Sequence, residues 1–378
     1  MLVRTMKILL LCWRDSTHPQ GGGSERYLER VGEYLAARGH EVVYRTAGHT
    51  DAPRRSRRNG VRFSRSGGKF TVYPRAWAGI LLGRAGIGTL GDIDVVVDTQ
   101  NGIPFFARLV AGRPTVLLTH HRHKEQWPVA GRALAALGWF LESQVAPRVY
   151  RGAPYVTVSE SSRADLLELG VRGEDITIIH NGVDPVPGSI PRLDGNGATH
   201  LVTLSRLVPH KQIEHAMDTL ARLPGDVVLD VIGSGWWEDE LREYAQTRGV
   251  VDRVNFHGQV TEDYKHALLA RAAVHLMPSR KEGWGLAVME AAQHGVPTIG
   301  YRTAGGLRDS VVDGETGLLA DSPAELTELT ARLLADPALA RRLGQAARKR
   351  AEGFSWAQTG ARFEELLTAA ARATPRRG

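Results

Sequence analysis

Two carboxylates and two glycines fall within nine residues, in the run Glu282-Gly283-Trp284-Gly285-Leu286 leading to Glu290. Before it, Ala272 to Met277 is a short apolar run closed by Pro278, which predicts a buried strand. After Gly285, residues 286–293 lack proline and glycine and favour a helix. A strand, a glycine-bearing loop and a helix N-terminus together form an anion site, because free backbone N–H groups and the positive end of the helix dipole converge there. Two glutamates do not ligate a phosphate. They suit hydroxyl-rich groups, such as a sugar and a ribose, on either side of one. An isolated pair of glutamates is ordinarily just solvated; the glycines and the strand–loop–helix setting distinguish this one.

A second set of charges follows the apolar run Leu201 to Leu204, in Ser205-Arg206-Leu207-Val208-Pro209-His210-Lys211, with a helix expected from Ile213. Arg206 and Lys211, at the end of a first strand, are placed to neutralise a diphosphate. Near the start, Met6 to Leu11 reads as a strand and Gln20 to Glu25, with Gly22 and Gly23, as a tight turn. A helix over Arg26 to Arg38 and a strand over Glu41 to Tyr44 complete a βαβ unit. The G-x-G-x-x-G order is missing, which argues against nicotinamide binding. Gln100, Asn101 and Gly102 follow the strand Asp94 to Asp98, at the edge where open α/β sheets bind ligands. Thr115 to Thr119 ends in His120-His121-Arg122-His123. Neighbouring residues of an extended segment face opposite ways, and no cysteine or carboxylate stands at ligand spacing, so no metal is expected.

The remaining pattern alternates strand and helix. Residues 51–69, with six arginines, read as a surface loop with a weak strand around Val61-Arg62-Phe63. Trp127 to Tyr150 carries an apolar stripe with arginines alongside, which favours a core-facing helix over one lying on a membrane. Ser159 is the expected cap of a helix through Leu169, and Ile176 to Ile179 a strand. Two α/β domains are predicted, residues 1–185 and 200–354, joined by a proline- and glycine-rich linker over 186–199.

The whole chain of 378 residues carries a net charge of +7, and residues 1–190 hold 25 Lys and Arg against 17 Asp and Glu. The excess suggests an anionic partner for that half, such as a lipid surface or an acidic acceptor, unless it only reflects an arginine-rich composition. Nucleic acid is not expected, because no aromatic platform accompanies the arginines. One cysteine, Cys12, fits a reducing compartment. The apolar run Ile8 to Leu11 is too short for a leader and lacks a cleavage site, so a cytoplasmic protein is expected.

Taken in order, these motifs resemble the retaining GT-B glycosyltransferases of family four: Gly22-Gly23-Ser24-Glu25, the Arg206-x4-Lys211 pair, and Glu282 to Glu290 with Gly-x-Gly inside. The resemblance implies two facing Rossmann-like, doubly wound domains with a cleft between them. A final helix, within 355–378, returns to the first domain. It implies transfer of a hexose-type sugar from a nucleotide-diphosphate sugar to an acceptor hydroxyl by a metal-independent, same-face mechanism without a cofactor. Gly22 and Gly23 then face the diphosphate, with Arg206 and Lys211 upon it. Gly283, Trp284, Gly285 and Leu286 form the donor loop, Glu282 holds sugar hydroxyls and Glu290 the ribose. A histidine beside the sugar is also implied; His120 fits best and His121 competes. Gln100 and Asn101 would rim the acceptor side. Peripheral contact with the inner face of an anionic membrane is a further expectation. A nucleotide-sugar epimerase and a non-catalytic two-lobe sugar-binding protein are the alternatives. The first would act on the donor without an acceptor.

Overall fold

The computed structural model describes residues 4–18, 21–124, 127, 131–193 and 197–373. Gln20 of the expected turn, the linker residues 194–196 and the ends 1–3 and 374–378 lie outside the described residues. The chain divides into two compact units: residues 1–182 with 356–378, and residues 183–355.

Unit 1 runs β1 (Lys7–Leu11), α1 (Gly23–Ala37), β2 (Glu41–Thr46), β3 (Arg55–Arg58), β4 (Val61–Arg65), α2 (Val72–Arg84), β5 (Val95–Gln100), α3 (Arg108–Ala111), β6 (Thr115–Thr119), α4 (Arg132–Phe140), α5 (Ala146–Val149), β7 (Tyr155–Thr157), α6 (Glu160–Glu168) and β8 (Ile176–Ile178). Its eight strands lie in the order β3-β4-β2-β1-β5-β6-β7-β8, all parallel except for the β3–β4 pair. The central strands are buried on both faces, which is why β5 reads Val-Val-Val rather than as an alternation.

Unit 2 runs β9 (Thr199–Leu204), α7 (Ile213–Ala221), β10 (Val227–Ile232), α8 (Glu238–Thr247), β11 (Val254–Gly258), α9 (Glu262–Arg271), β12 (Val274–Met277), α10 (Leu286–Gln293), β13 (Thr298–Tyr301), α11 (Leu307–Ser310), β14 (Gly317–Ala320), α12 (Pro323–Ala335) and α13 (Pro337–Ala351). Its six strands are parallel, in the order β11-β10-β9-β12-β13-β14. The last helix, α14 (Trp356–Ala373), packs against α1 in unit 1. Phe363 is fully buried there beside Tyr27, and Glu364 accepts from Arg38 at 3.3 Å and meets His40 Nε2 at 3.1 Å. Truncating a side chain such as Phe363 to alanine costs about 3–5 kcal/mol, so this helix is integral to unit 1.

Four local expectations are corrected. Arg55 to Arg58 is no loop: it pairs antiparallel with Val61 to Arg65 through Asn59-Gly60, whose φ values of 48° and 83° suit a two-residue hairpin. The arginines tolerate strand geometry because alternate ones lie exposed, while Arg58 stacks over the Phe63 ring at 4.8 Å. Helix α1 starts at Gly23 rather than Arg26, since Glu25 reaches back to the Gly22 N–H at 2.9 Å and caps it. Helix α2 has no counterpart in the sequence reading, because Pro74, Gly79 and Gly83 interrupt its pattern. The stripe on α4 does not face the core: Leu134, Leu137 and Phe140 are about half exposed and only Gly138 of that helix is buried. A π-helical turn at Leu141–Val145 follows, which rotates the faces relative to a continuous helix.

Candidate donor site

In unit 2 the strand order reverses between β9 and β12, and the carboxyl ends of two such strands form the ligand crevice of an open α/β sheet. The two sequence motifs are the loops that leave those strands. Lys211, on a single turn over Pro209–Lys211, donates from Nζ to Glu282 Oε1 at 2.5 Å and so joins them across the reversal. Their side chains are 13 % and 10 % exposed. Arg206 is exposed in the same loop. The His210 ring lies among Lys211, Arg206, Arg280 and Glu282; burial and the surrounding cations push its pKa down to about 4, so it is neutral near pH 7.

Backbone geometry shapes the loop after β12. Glu282 N–H donates to Ala304 O at 2.8 Å and Gly306 N–H to Glu282 O at 3.0 Å, so this loop is laced to the one after β13. The approach is close enough that a Cβ on Gly306 would sit 2.3 Å from Gly283 O. Gly285 caps α10 with φ 91°, a conformation that side chains rarely adopt. Helix α10 thus begins just past the carboxyl end of β12 with no side-chain cap on its first N–H groups. Trp284 lies in this loop with its indole buried against Phe354, ring centroids 5.0 Å apart, so what it can offer a ligand there is its backbone. Leu286 is partly buried. Glu290 is partly exposed and accepts from Lys265 Nζ at 2.6 Å. Nothing in the sequence marked Lys265, a lysine in a polar helix; only the packing of α9 beside α10 brings it to Glu290.

Unit 1 has its own order reversal, between β1 and β5. Gly22, with an extended backbone, and Gly23 start α1 there. Glu25 is fully buried beneath them, accepting from Gly22 N, Ser24 Oγ and Arg14 Nε at 2.9–3.1 Å. The Asn101 amide lies 3.5 Å from Ser24 Oγ and Glu25 Oε1, and Gln100, the last residue of β5, is buried. Asp98 fixes the following loop by accepting from Phe105 N, Ala107 N and the Tyr150 hydroxyl. His120 is the first residue past β6, 6 % exposed and edge-on to Tyr27 with centroids 5.1 Å apart. Among the described residues its Nε2 has no hydrogen-bond partner. Burial pushes its pKa down to about 4. His121 is partly exposed and stacks near His123, centroids 4.5 Å apart. Gly102 N–H donates to His123 Nδ1 at 3.1 Å, so the three histidines do separate things. No three His, Cys, Asp or Glu side chains converge as a metal site among the described residues.

Known proteins match the chain in both units. The model of the family "Glycosyl transferases group 1" matches residues 195–350, and that of "Glycosyltransferase Family 4" matches residues 21–186. An MMP alpha-(1->4)-mannosyltransferase of Mycolicibacterium hassiacum is 30% identical over 96% of this chain and 98% of its own. A GDP-mannose-dependent alpha-(1-6)-phosphatidylinositol monomannoside mannosyltransferase of Mycolicibacterium smegmatis is 31% identical over 68% of this chain and 71% of its own. Among solved structures, sucrose-phosphate synthase of Thermosynechococcus elongatus superposes with a TM-score of 0.82 at 22% identity, covering 98% of this chain and 100% of that one. Anabaena Alr3699/HepE with UDP-glucose gives 0.75 at 17% identity, over 96% and 100%. Two doubly wound sheets, a cationic pair and a glutamate-bearing glycine loop at the order reversal, and these matches establish that the chain belongs to the group 1 glycosyltransferases, enzymes of GT-B fold.

Proposed function

We propose that this enzyme transfers a mannosyl or glucosyl residue from a nucleotide-diphosphate sugar to an acceptor hydroxyl, with retention and without a metal ion. The observation that carries the reading is the Lys211–Glu282 pair at the order reversal of unit 2, beside Arg206 and the N-terminus of α10. The sugar choice draws on relatives named as mannosyltransferases and on a structural neighbour holding UDP-glucose.

Departure of the nucleotide diphosphate builds negative charge. Lys211, Arg206 and the α10 N–H groups stabilise it in place of a divalent ion. Glu282 holds sugar hydroxyls and, through Lys211, keeps the ammonium aimed at the crevice. Glu290 offers its remaining oxygen to ribose hydroxyls. The role that the resemblance gives His120, orienting the sugar, calls for a neutral imidazole, and burial keeps it so. No carboxylate is assigned as a nucleophile. The leaving phosphate oxygen takes the acceptor's proton on the same face, an assignment that rests on the family resemblance. The outward apolar row Leu134, Leu137 and Phe140 with Arg132 supports peripheral contact of unit 1 with an anionic lipid surface. Among the described residues no helix is long and apolar enough to cross a membrane.

A thermal-shift screen of nucleotide sugars identifies the donor, because a bound ligand raises apparent stability. Product NMR then reads the anomeric configuration. A product with the donor's configuration is expected. An inverted product, or an epimerised sugar nucleotide formed without acceptor, would overturn the reading.

A further inference from the structure

Beside the β2–β4 pair of unit 1, under α2, lies a cavity of about 290 Å³ that none of the motifs above uses. Arg45, Arg54, Arg55 and Arg65 line it with Ser64, Ser66 and Thr89, and no carboxylate does. Arg65 is spoken for: its Nε donates to Asp15 at 2.6 Å and its NH1 to Pro53 O and Ser56 Oγ. Arg45 is different. It is 9 % exposed, and its NH1 and NH2 donate to Ser64 Oγ at 2.8 Å and Arg75 O at 3.2 Å. Its Nε is buried with no partner, and among the described residues no carboxylate pairs with it. Arg54 and Arg55 are exposed at the mouth, also without an ion pair among the described residues.

A guanidinium buried without a counter-charge is unfavourable, and such groups are ordinarily paired. We infer that the counter-charge is a ligand, and that this cavity binds a phosphoryl group carried on a small organic body. Guanidinium forks from Arg45 on β2 and Arg55 on β3, with Arg54 and the hydroxyls of Ser64, Ser66 and Thr89, suit the several oxygens of a tetrahedral dianion better than a single planar carboxylate, which one fork would satisfy. The site lies within unit 1, whereas the donor loops belong to unit 2, and it does not depend on the donor assignment.

The test compares melting of the full chain in sodium phosphate and in sodium chloride at equal ionic strength, then titrates glycerol 3-phosphate and phosphatidic acid vesicles. Wild type and Lys211→Met should show a saturable rise in Tm with phosphate, Arg45→Met none, and Arg54→Gln/Arg55→Gln a weakened one. The Lys211 variant separates this site from the donor diphosphate site, and the double variant reads the proposal if Arg45→Met does not fold. Saturation by free glycerol 3-phosphate identifies a soluble ligand. Binding to vesicles alone, lost in the variants, identifies a lipid headgroup. No response of wild type to phosphate, glycerol 3-phosphate or the vesicles, or an equal response in wild type and in the variants at Arg45, Arg54 and Arg55, would overturn the inference.

Discussion

Replacing Lys211 by methionine separates what the ion pair does for the fold from what it does for the reaction. Removing one partner of a buried pair leaves the other charge uncompensated, at about 3–5 kcal/mol. With Lys211 13 % and Glu282 10 % exposed, the lower figure, about 3 kcal/mol, applies. For a unit of this size that lowers Tm by on the order of 6–12 °C. The same substitution removes a charge from the leaving diphosphate, worth about 3–4 kcal/mol, or roughly 10²–10³-fold in kcat. The double variant Lys211→Met/Glu282→Gln tells the two apart: it should regain most of the lost Tm, since neither charge remains, while turnover stays low. Arg206 is exposed, so Arg206→Ala should lower turnover with an unchanged melt. Calorimetry and single-turnover rates on the four proteins read both quantities. Turnover of Lys211→Met within threefold of wild type, or turnover restored in the double variant, would refute the reasoning.

Activity should persist in excess EDTA, because Arg206 and Lys211 supply the positive charge on the diphosphate; loss restored by magnesium or manganese would contradict this. Gly306→Ala should weaken donor binding and cost about 1–3 kcal/mol, as its Cβ would meet the Gly283 carbonyl at 2.3 Å; an unchanged melt and donor titration would show that the loop yields freely. Burial pushes the Asp230 carboxyl up, but hydrogen bonds from His257 and His200 and the charge of Arg271 overcome it and hold its pKa at about 2. A depressed carboxyl contributes stability that is present above pH 3.8 and lost as the pH falls towards 2. The loss is about 2 kcal/mol, and the acid limb of the stability curve should shrink by that much in Asp230→Asn.

What the sequence determined by itself is what depends on neighbours along the chain. Short β-branched runs such as Val95-Val96-Val97 read as strands buried on both faces, and Ser159 caps α6 by accepting from Ser162 N at 3.0 Å because that bond closes within one turn. The glycine loop and the Arg206–Lys211 spacing were legible for the same reason, since each must lie at a strand end that its own local pattern defines. The hairpin at Asn59-Gly60 was equally local and lay open to reading, but the surrounding arginines masked it. The tertiary structure decided what depends on which strands become neighbours. Lys211 and Glu282 are 71 residues apart and meet only because β9 and β12 pair at the reversal of the sheet. Glu290 finds Lys265, and Trp284 turns into the core against Phe354, through packing that no local period encodes. The outward face of α4 follows the same rule: an apolar stripe fixes which residues share a face, but not whether anything covers it.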